Sequence, residues 1–127
     1  MYEATQSVLA RKSDAFSKRI VKMVKYLHEQ GDVHFSPLFN QVLRSGTSIA
    51  ANVGEAQFAQ TRADFITKLH IATKEDNETR KWLCLLMEGA VLTKPQFESM
   101  DADCNEIISI LVASLKTSKR NSQQIIK

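Results

Sequence analysis

Residues that interrupt helices are scarce in this sequence. Only four glycines and two prolines occur among its 127 residues, and no stretch shows the alternation of polar and apolar residues that is typical of β-strands. No stretch approaches the roughly 20 apolar residues that span a bilayer, and the amino terminus lacks the basic start and apolar run of a secretory signal. We therefore expect an all-α, cytoplasmic protein that has no membrane partner.

Motifs for catalysis or for cofactor binding are also missing. Cys84 and Cys104 are not part of a CxxC motif and have no nearby histidine pair, so we expect two buried apolar residues, with a reactive or bridged thiol as the alternative. There is no Glu-x-x-His pair and no phosphate-binding glycine loop. We expect no catalytic residue, metal or cofactor, and we take the protein not to be an enzyme.

Four segments carry apolar residues at helical spacing, and turn signals separate them. Gly31 follows the first segment, Ser36 and Pro37 open the second, and capping boxes at Thr61 and Thr93 open the third and fourth. The predicted helices are 7–30, 36–58, 62–91 and 94–117, with a C-terminal tail at 118–127. Because short loops make neighbouring helices antiparallel, we predict that residues 1–127 form one up-down-up-down four-helix bundle.

The second helix is unusual because its centre, RSGTSIAANVGEA at residues 44–56, has few bulky side chains. Its predicted core seam is Val42, Gly46, Ile49, Val53 and Ala56. Its outer face consists of Thr47, Ala50, Ala51 and Gly54. Interior glycines each cost a helix about 1 kcal/mol relative to alanine, so a compensating gain is needed. We interpret the outer face as a packing surface for other subunits; the alternative is that the glycines are merely tolerated.

A polar stripe runs beside the seam of the second helix and consists of Ser45, Ser48, Asn52 and Glu55. Counting away from the turn near residue 60 places Arg44 level with Glu75 or Glu78 of the third helix, and Glu55 level with Lys68. We therefore predict that these groups form charge-paired contacts that define the register of the two helices. The alternative is a polar pocket built from Ser48, Asn52, Glu55 and Glu75.

Three stretches carry a family resemblance: KSDAFSKRIVKMVKYL, LRSGTSIAANVGEAQ and DFITKLHIATKEDNETRKWLCLL. They strongly resemble the bacterial four-helix bundle family called 23S rRNA-intervening-sequence proteins, or S23-like proteins. Members of that family resemble the accessory protein of diversity-generating retroelements, whose bundles form a pentameric ring and engage nucleic acid and a reverse transcriptase. The resemblance implies a homopentamer without established catalytic activity, with RNA or DNA and a reverse transcriptase as partners.

The first helix carries a cluster of basic residues opposite its apolar stripe. Arg11, Lys18, Lys22 and Lys25 fall within about 60° on a helical wheel, and Lys12 and Arg19 lie nearby. Repeated around an oligomer, Arg11, Lys18, Arg19, Lys22 and Lys25 form a candidate nucleic-acid-binding surface. The alternative is an ordinary solvated face on a structural or protein-interaction scaffold that binds no nucleic acid.

Overall fold

A computed structural model describes the backbone of residues 2–31 and 33–126 and the side chains of residues 6, 8–31 and 33–121. Its elements are α1 (Tyr2–Glu29), a 3-10 turn (Val33–Phe35), α2 (Ser36–Gln57), α3 (Arg62–Glu88) and α4 (Lys94–Ile126). Each helix packs against the next one, and α1 also packs against α4, which closes the bundle. The described part of the chain contains no strand. The all-α four-helix bundle predicted from the sequence is confirmed.

The turn signals in the sequence act largely as predicted. Gly31 follows α1 with a positive φ of 80°, a conformation that glycine adopts without steric cost. At the start of α3, the Thr61 hydroxyl accepts a hydrogen bond from the Asp64 amide at 3.0 Å. At the start of α4, the amide of each member of the Thr93–Gln96 pair donates to the side chain of the other, at 2.9 and 3.2 Å. These contacts satisfy amide groups that the first turn of a helix leaves unpaired.

Other helix boundaries differ from the prediction. Ser36 lies inside α2 and does not cap it; the capping residue is Phe35, which makes no side-chain hydrogen bond to the helix. Helix α3 ends three residues early, because Ala90 adopts a φ of 61° and the Val91 amide donates to the Leu86 carbonyl at 2.8 Å. Helix α1 begins earlier, at Tyr2.

Helix α4 continues to Ile126, through most of the segment 118–127 that was expected to be a tail. This segment contains neither glycine nor proline, so nothing in it breaks a helix. Ser118 is fully buried, which shows that the bundle covers α4 beyond the predicted end at residue 117. The loss of apolar spacing therefore marked the end of the core seam rather than the end of the helix.

The core is built from apolar side chains of all four helices. The predicted α2 seam is confirmed, because all five of its residues are buried. In α4 the spacing of apolar residues predicts that Ile108 lies in the core with Cys104 and Leu111, but the structure buries Ile107 and leaves Ile108 half-buried. Both choices keep the alternation of three and four residues that places side chains on one helical face, so spacing alone did not decide between them.

Helices α1 and α2 approach each other closely at Gly46. A Cβ atom added to this residue would lie 2.8 Å from Cγ1 of Ile20 and 3.1 Å from two more carbons of that side chain. These distances are shorter than van der Waals contact, so the fully buried Ile20 occupies the space that any other residue would need at position 46. Gly46 is therefore required for the packing of α1 on α2.

Replacing Gly46 with Ala should destabilise the protein by about 1–3 kcal/mol, because the added methyl group overpacks the contact with Ile20. The matched control is Gly54→Ala, where the new Cβ meets no atom within 4 Å. Since alanine is the better helix former, the control should gain up to about 1 kcal/mol in the dissociated subunit. Urea unfolding at low protein concentration measures both changes, and equal effects at the two glycines would contradict the packing role of Gly46.

Candidate functional site

Three ion pairs join α2 to α3 along one edge of the bundle. Arg44 contacts Glu75 at 3.3 Å and Glu78 at 3.2 Å, and Lys68 contacts Glu55 at 3.3 Å. The pairing predicted by counting from the turn is therefore confirmed. Exposed ion pairs contribute only about 0–1 kcal/mol each, and the Arg44 side chain is about half exposed. The main effect of these pairs is to define the register of the two helices.

The polar stripe of α2 serves mostly its own backbone. The Ser48 hydroxyl donates to the Arg44 carbonyl at 2.6 Å, and the Asn52 amide donates to the Ser48 carbonyl at 2.9 Å. Ser45 is fully buried, and its hydroxyl lies 2.8 Å from that of Thr79. These bonds use the polar groups within the bundle, so the geometry favours a structural role over the alternative of a ligand pocket.

A buried carboxyl group lies in the middle of α3, where Asp76 and Thr79 interrupt the row of apolar core residues in the sequence. Asp76 is fully buried, and neither of its oxygens has a hydrogen-bond partner among the described residues. Its pKa is raised to about 7, chiefly by desolvation and further by Asp101, while Arg80 opposes the shift. Arg80 is itself bound to Asp101 at 2.8 Å. The interior of the bundle thus favours the neutral form of Asp76.

The two thiols are free in the structure. Cys104 is fully buried, and this burial raises its pKa, with the charges of Asp76 and Asp101 adding to the effect. Cys84 is half-buried; desolvation raises its pKa, and the neighbouring Glu88 raises it further. Because the thiolate is the reactive form of cysteine, both residues are in surroundings that suppress reactivity.

The histidines lie apart from one another. His28, His34 and His70 are all exposed, and His28 packs edge-on against Phe39 with ring centroids 4.9 Å apart. Among the described residues, no group of three or more His, Cys, Asp or Glu side chains is arranged to hold a metal ion. No helix in the described ranges has the length and apolar character that crossing a membrane requires.

The basic face of α1, defined as Arg11, Lys18, Lys22 and Lys25, is exposed along its whole length. From Arg11 to Lys25 it extends about 21 Å at the rise of an α-helix. In the described part of the chain, none of these four cations is held in an ion pair. The basic face is therefore a line of cations that remain available to an external anion.

Arg19 differs from the basic face that it was predicted to join. Its guanidinium donates to Asp103 at 2.6 Å and to the Ser99 hydroxyl at 2.8 Å, both on α4. Lys12 likewise pairs with Glu106 of α4. These two cations are paired with carboxylates of the same chain, and they tie α1 to α4.

A groove lies beside the basic face, between α1 and the start of α4. Its volume is about 560 Å³, and most of its lining is apolar. The residues that form it include Lys22, Met23, Tyr26, Leu92, Pro95 and Met100. Sequence reasoning missed this groove, although the position of Tyr26, one helical turn after Lys22, was a visible signal. Tyr26 is 48% exposed, so one side of its ring is accessible from solvent.

The outer face of α2 is left open by the rest of the bundle. Ala51 is exposed, Thr47, Ala50 and Gly54 are half-buried, and no atom approaches within 4 Å of the Cβ position of Gly54. Thr47 donates its hydroxyl to the Leu43 carbonyl at 2.7 Å, which leaves its methyl group as the main external feature. At the end of α2, Phe58 is 86% exposed. The outer face of α2 therefore presents small, mostly apolar side chains, and Phe58 adds a large aromatic ring at its end.

The fold is an all-α four-helix bundle, and its described residues present a basic face on α1, a groove between α1 and α4, and an open face of small residues on α2. The sequence profile of the family described as 23S rRNA-intervening sequence protein matches residues 5–113. The chain therefore belongs to the 23S rRNA-intervening sequence protein family, and the resemblance seen in its sequence is confirmed.

The architecture is also that of a solved structure. A protein of unknown function from the S23 ribosomal protein family of Bacteroides thetaiotaomicron VPI-5482 is 46% identical to this chain and superposes with a TM-score of 0.84. The match covers 88% of this chain and 98% of the other. A search of curated proteins finds no match.

Replacing Asp76 with Asn should change the pH dependence of stability, because it removes the ionisable group at nearly constant shape. The folded-state pKa lies above the ordinary value of 3.8, so the unfolded chain loses the proton first. Stability is therefore retained below about pH 4 and is lost as the pH rises towards 7. Near pH 8 we expect the variant to be more stable than the parent by up to about 4 kcal/mol, with little difference near pH 4.

Urea unfolding across this pH range tests the role of Asp76. The control is Asp14→Asn, which removes an exposed carboxylate and makes the same change in formal charge. If the difference in unfolding free energy between the Asp76 variant and the parent stayed constant with pH, folding would not raise the pKa of Asp76.

Proposed function

We propose that this protein is a non-enzymatic, homo-oligomeric bundle that binds RNA or DNA through the basic face of α1. The observation that carries the proposal is the alignment of four exposed cations, none of them in an ion pair within the described chain. Unpaired cations in a row can neutralise successive phosphates and release the counterions that surround a nucleic acid. Arg19 is not needed for this contact, since Asp103 already neutralises it.

Oligomerisation would strengthen this binding. A single basic face offers a few salt-sensitive contacts, whereas several copies held in one particle engage one strand at high effective concentration. The open outer face of α2, with Ala51 and Gly54 at its centre, is the surface that we assign to subunit packing. In keeping with the family resemblance, we propose a ring of five subunits.

The physiological setting that we propose is a cytoplasmic nucleoprotein complex. In it the bundle acts as an adaptor between a nucleic acid and a larger protein, and a reverse transcriptase is the partner that the family resemblance suggests. A second candidate is a protein-interaction scaffold without nucleic-acid binding, and Phe58, which is 86% exposed at the end of α2, favours it.

Binding of labelled RNA and DNA, measured from low to physiological salt, tests the proposed function. We expect binding that weakens as salt rises, because each phosphate contact contributes a slope of about −0.7 for single strands and −0.9 for duplexes. Reversing Lys18, Lys22 and Lys25 to Glu should weaken binding at least tenfold and flatten the slope. The matched control reverses Arg62, Lys74 and Lys81 of α3, diagonally across the bundle, with the same change in net charge. Absence of binding even at low salt would favour the scaffold.

Light scattering tests the assembly surface. Gly54→Leu or Ala51→Leu places a large side chain on the open face of α2 and should lower the particle mass or the melting temperature, because closely packed subunits have no room for it. Ala102→Leu, at an exposed position of α4, is the control. Unchanged mass and melting temperature in both α2 variants would count against subunit packing on this face.

A further inference from the structure

The groove beside the basic face combines two kinds of surface at close range. Its floor includes Met100 and Leu92, which are each only 4% exposed and belong to the apolar core. Its α1 wall carries the ring of Tyr26 and, one turn earlier, Lys22, which is also a member of the basic face. A ligand that follows the cations of α1 therefore passes directly over an apolar cleft.

Tyr26 is free to contact such a ligand. Its side chain is about half exposed, and in the described chain no hydrogen bond holds its hydroxyl group. The opposite wall begins at Pro95, a rigid residue in the first turn of α4. The cavity of about 560 Å³ lies within the size range of roughly 300–1,000 Å³ that is usual for ligand sites.

The charge and the apolar lining of the groove indicate which class of ligand it can bind. Its lip is cationic at Lys22 and its interior is apolar and aromatic, so it fits a polyanion that carries flat apolar groups. Single-stranded nucleic acid has this chemistry, because its unpaired bases can leave the strand and stack on aromatic side chains while its phosphates contact lysines. A duplex keeps its bases paired and stacked, and it offers such a groove only its backbone.

We infer that the groove between α1 and α4 is a base-binding site, in which Tyr26 stacks against an unpaired base of a single strand held by the basic face. This inference rests on the proposed function, since it requires that nucleic acid binds to α1. It adds a preference that the cations alone do not give: single strands, or the unpaired loops of a folded RNA, bind in preference to duplexes of equal length.

Fluorescence anisotropy with a labelled single-stranded oligonucleotide, with its duplex and with an abasic strand of equal length tests the inference. Tyr26→Ala should weaken binding of the single strand about tenfold or more and should leave duplex and abasic binding nearly unchanged. Tyr26→Phe keeps the ring and should bind as the parent does. Val21→Ala, which removes an exposed apolar side chain elsewhere on α1, is the matched control for the loss of surface.

The outcomes separate the inference from the proposed function. If no oligonucleotide binds at low salt, the proposed function fails. If all three probes bind equally and Tyr26→Ala has no effect, the basic face binds phosphate backbones, the proposed function stands, and the inference is wrong. A loss of particle mass in Tyr26→Ala would show instead that the groove packs against a second copy of this chain, and it too would overturn the inference.

Discussion

Helix α1 is held by different kinds of contact on its two sides, and this difference shapes the outer surface of the bundle. Towards α2, the missing Cβ of Gly46 admits Ile20, so the two helices meet closely. Towards α4, polar contacts join the apolar core contacts, among them Arg19 with Asp103 and Gln6 with Ser114. The groove beside Tyr26 lies on this side of α1, next to Arg19. The basic face lies along the same helix, so both surfaces depend on how α1 is placed.

The buried polar groups of the core differ in whether they have hydrogen-bond partners. Ser45 and Thr79 bond to each other across the α2–α3 interface, and Thr79 also lies 2.8 Å from the Glu75 carbonyl. Asp76, one helical turn before Arg80, has no such partner and is tolerated because it can take up a proton. A neutral carboxyl group in an apolar core is far less costly than a charged one. The contribution of Asp76 to the stability of the core is therefore expected to change with pH.

The fold could be predicted from the sequence because it follows from constants of helix geometry. Apolar spacing and the capping residues at Thr61 and Thr93 located the helices, and the fixed rise per residue placed Arg44 level with Glu75. The ends of helices could not be located where no residue caps or breaks a helix. No residue in 118–126 breaks a helix, so the end of α4 could not be seen, and the left-handed conformation of Ala90 has no marker in its own side chain.

The surfaces were predicted only in part, because they depend on distances between helices. The exposed cations of α1 follow from a helical wheel, but the capture of Arg19 by Asp103 requires the actual position of α4. The groove likewise depends on the position of the start of α4 relative to α1. A sequence records which residues share a face of one helix, whereas the gap between two faces is set by all of the contacts that join them.

The surroundings of the two thiols have a practical consequence for experiments on this protein. Burial of Cys104, and desolvation of Cys84 together with the neighbouring carboxylate of Glu88, raise the pKa of both thiols and so slow their reaction with maleimides or oxidants. A cysteine introduced at an exposed position such as Lys18 would react first. Site-specific dyes or spin labels could thus be attached to an introduced cysteine while Cys84 and Cys104 remain in place.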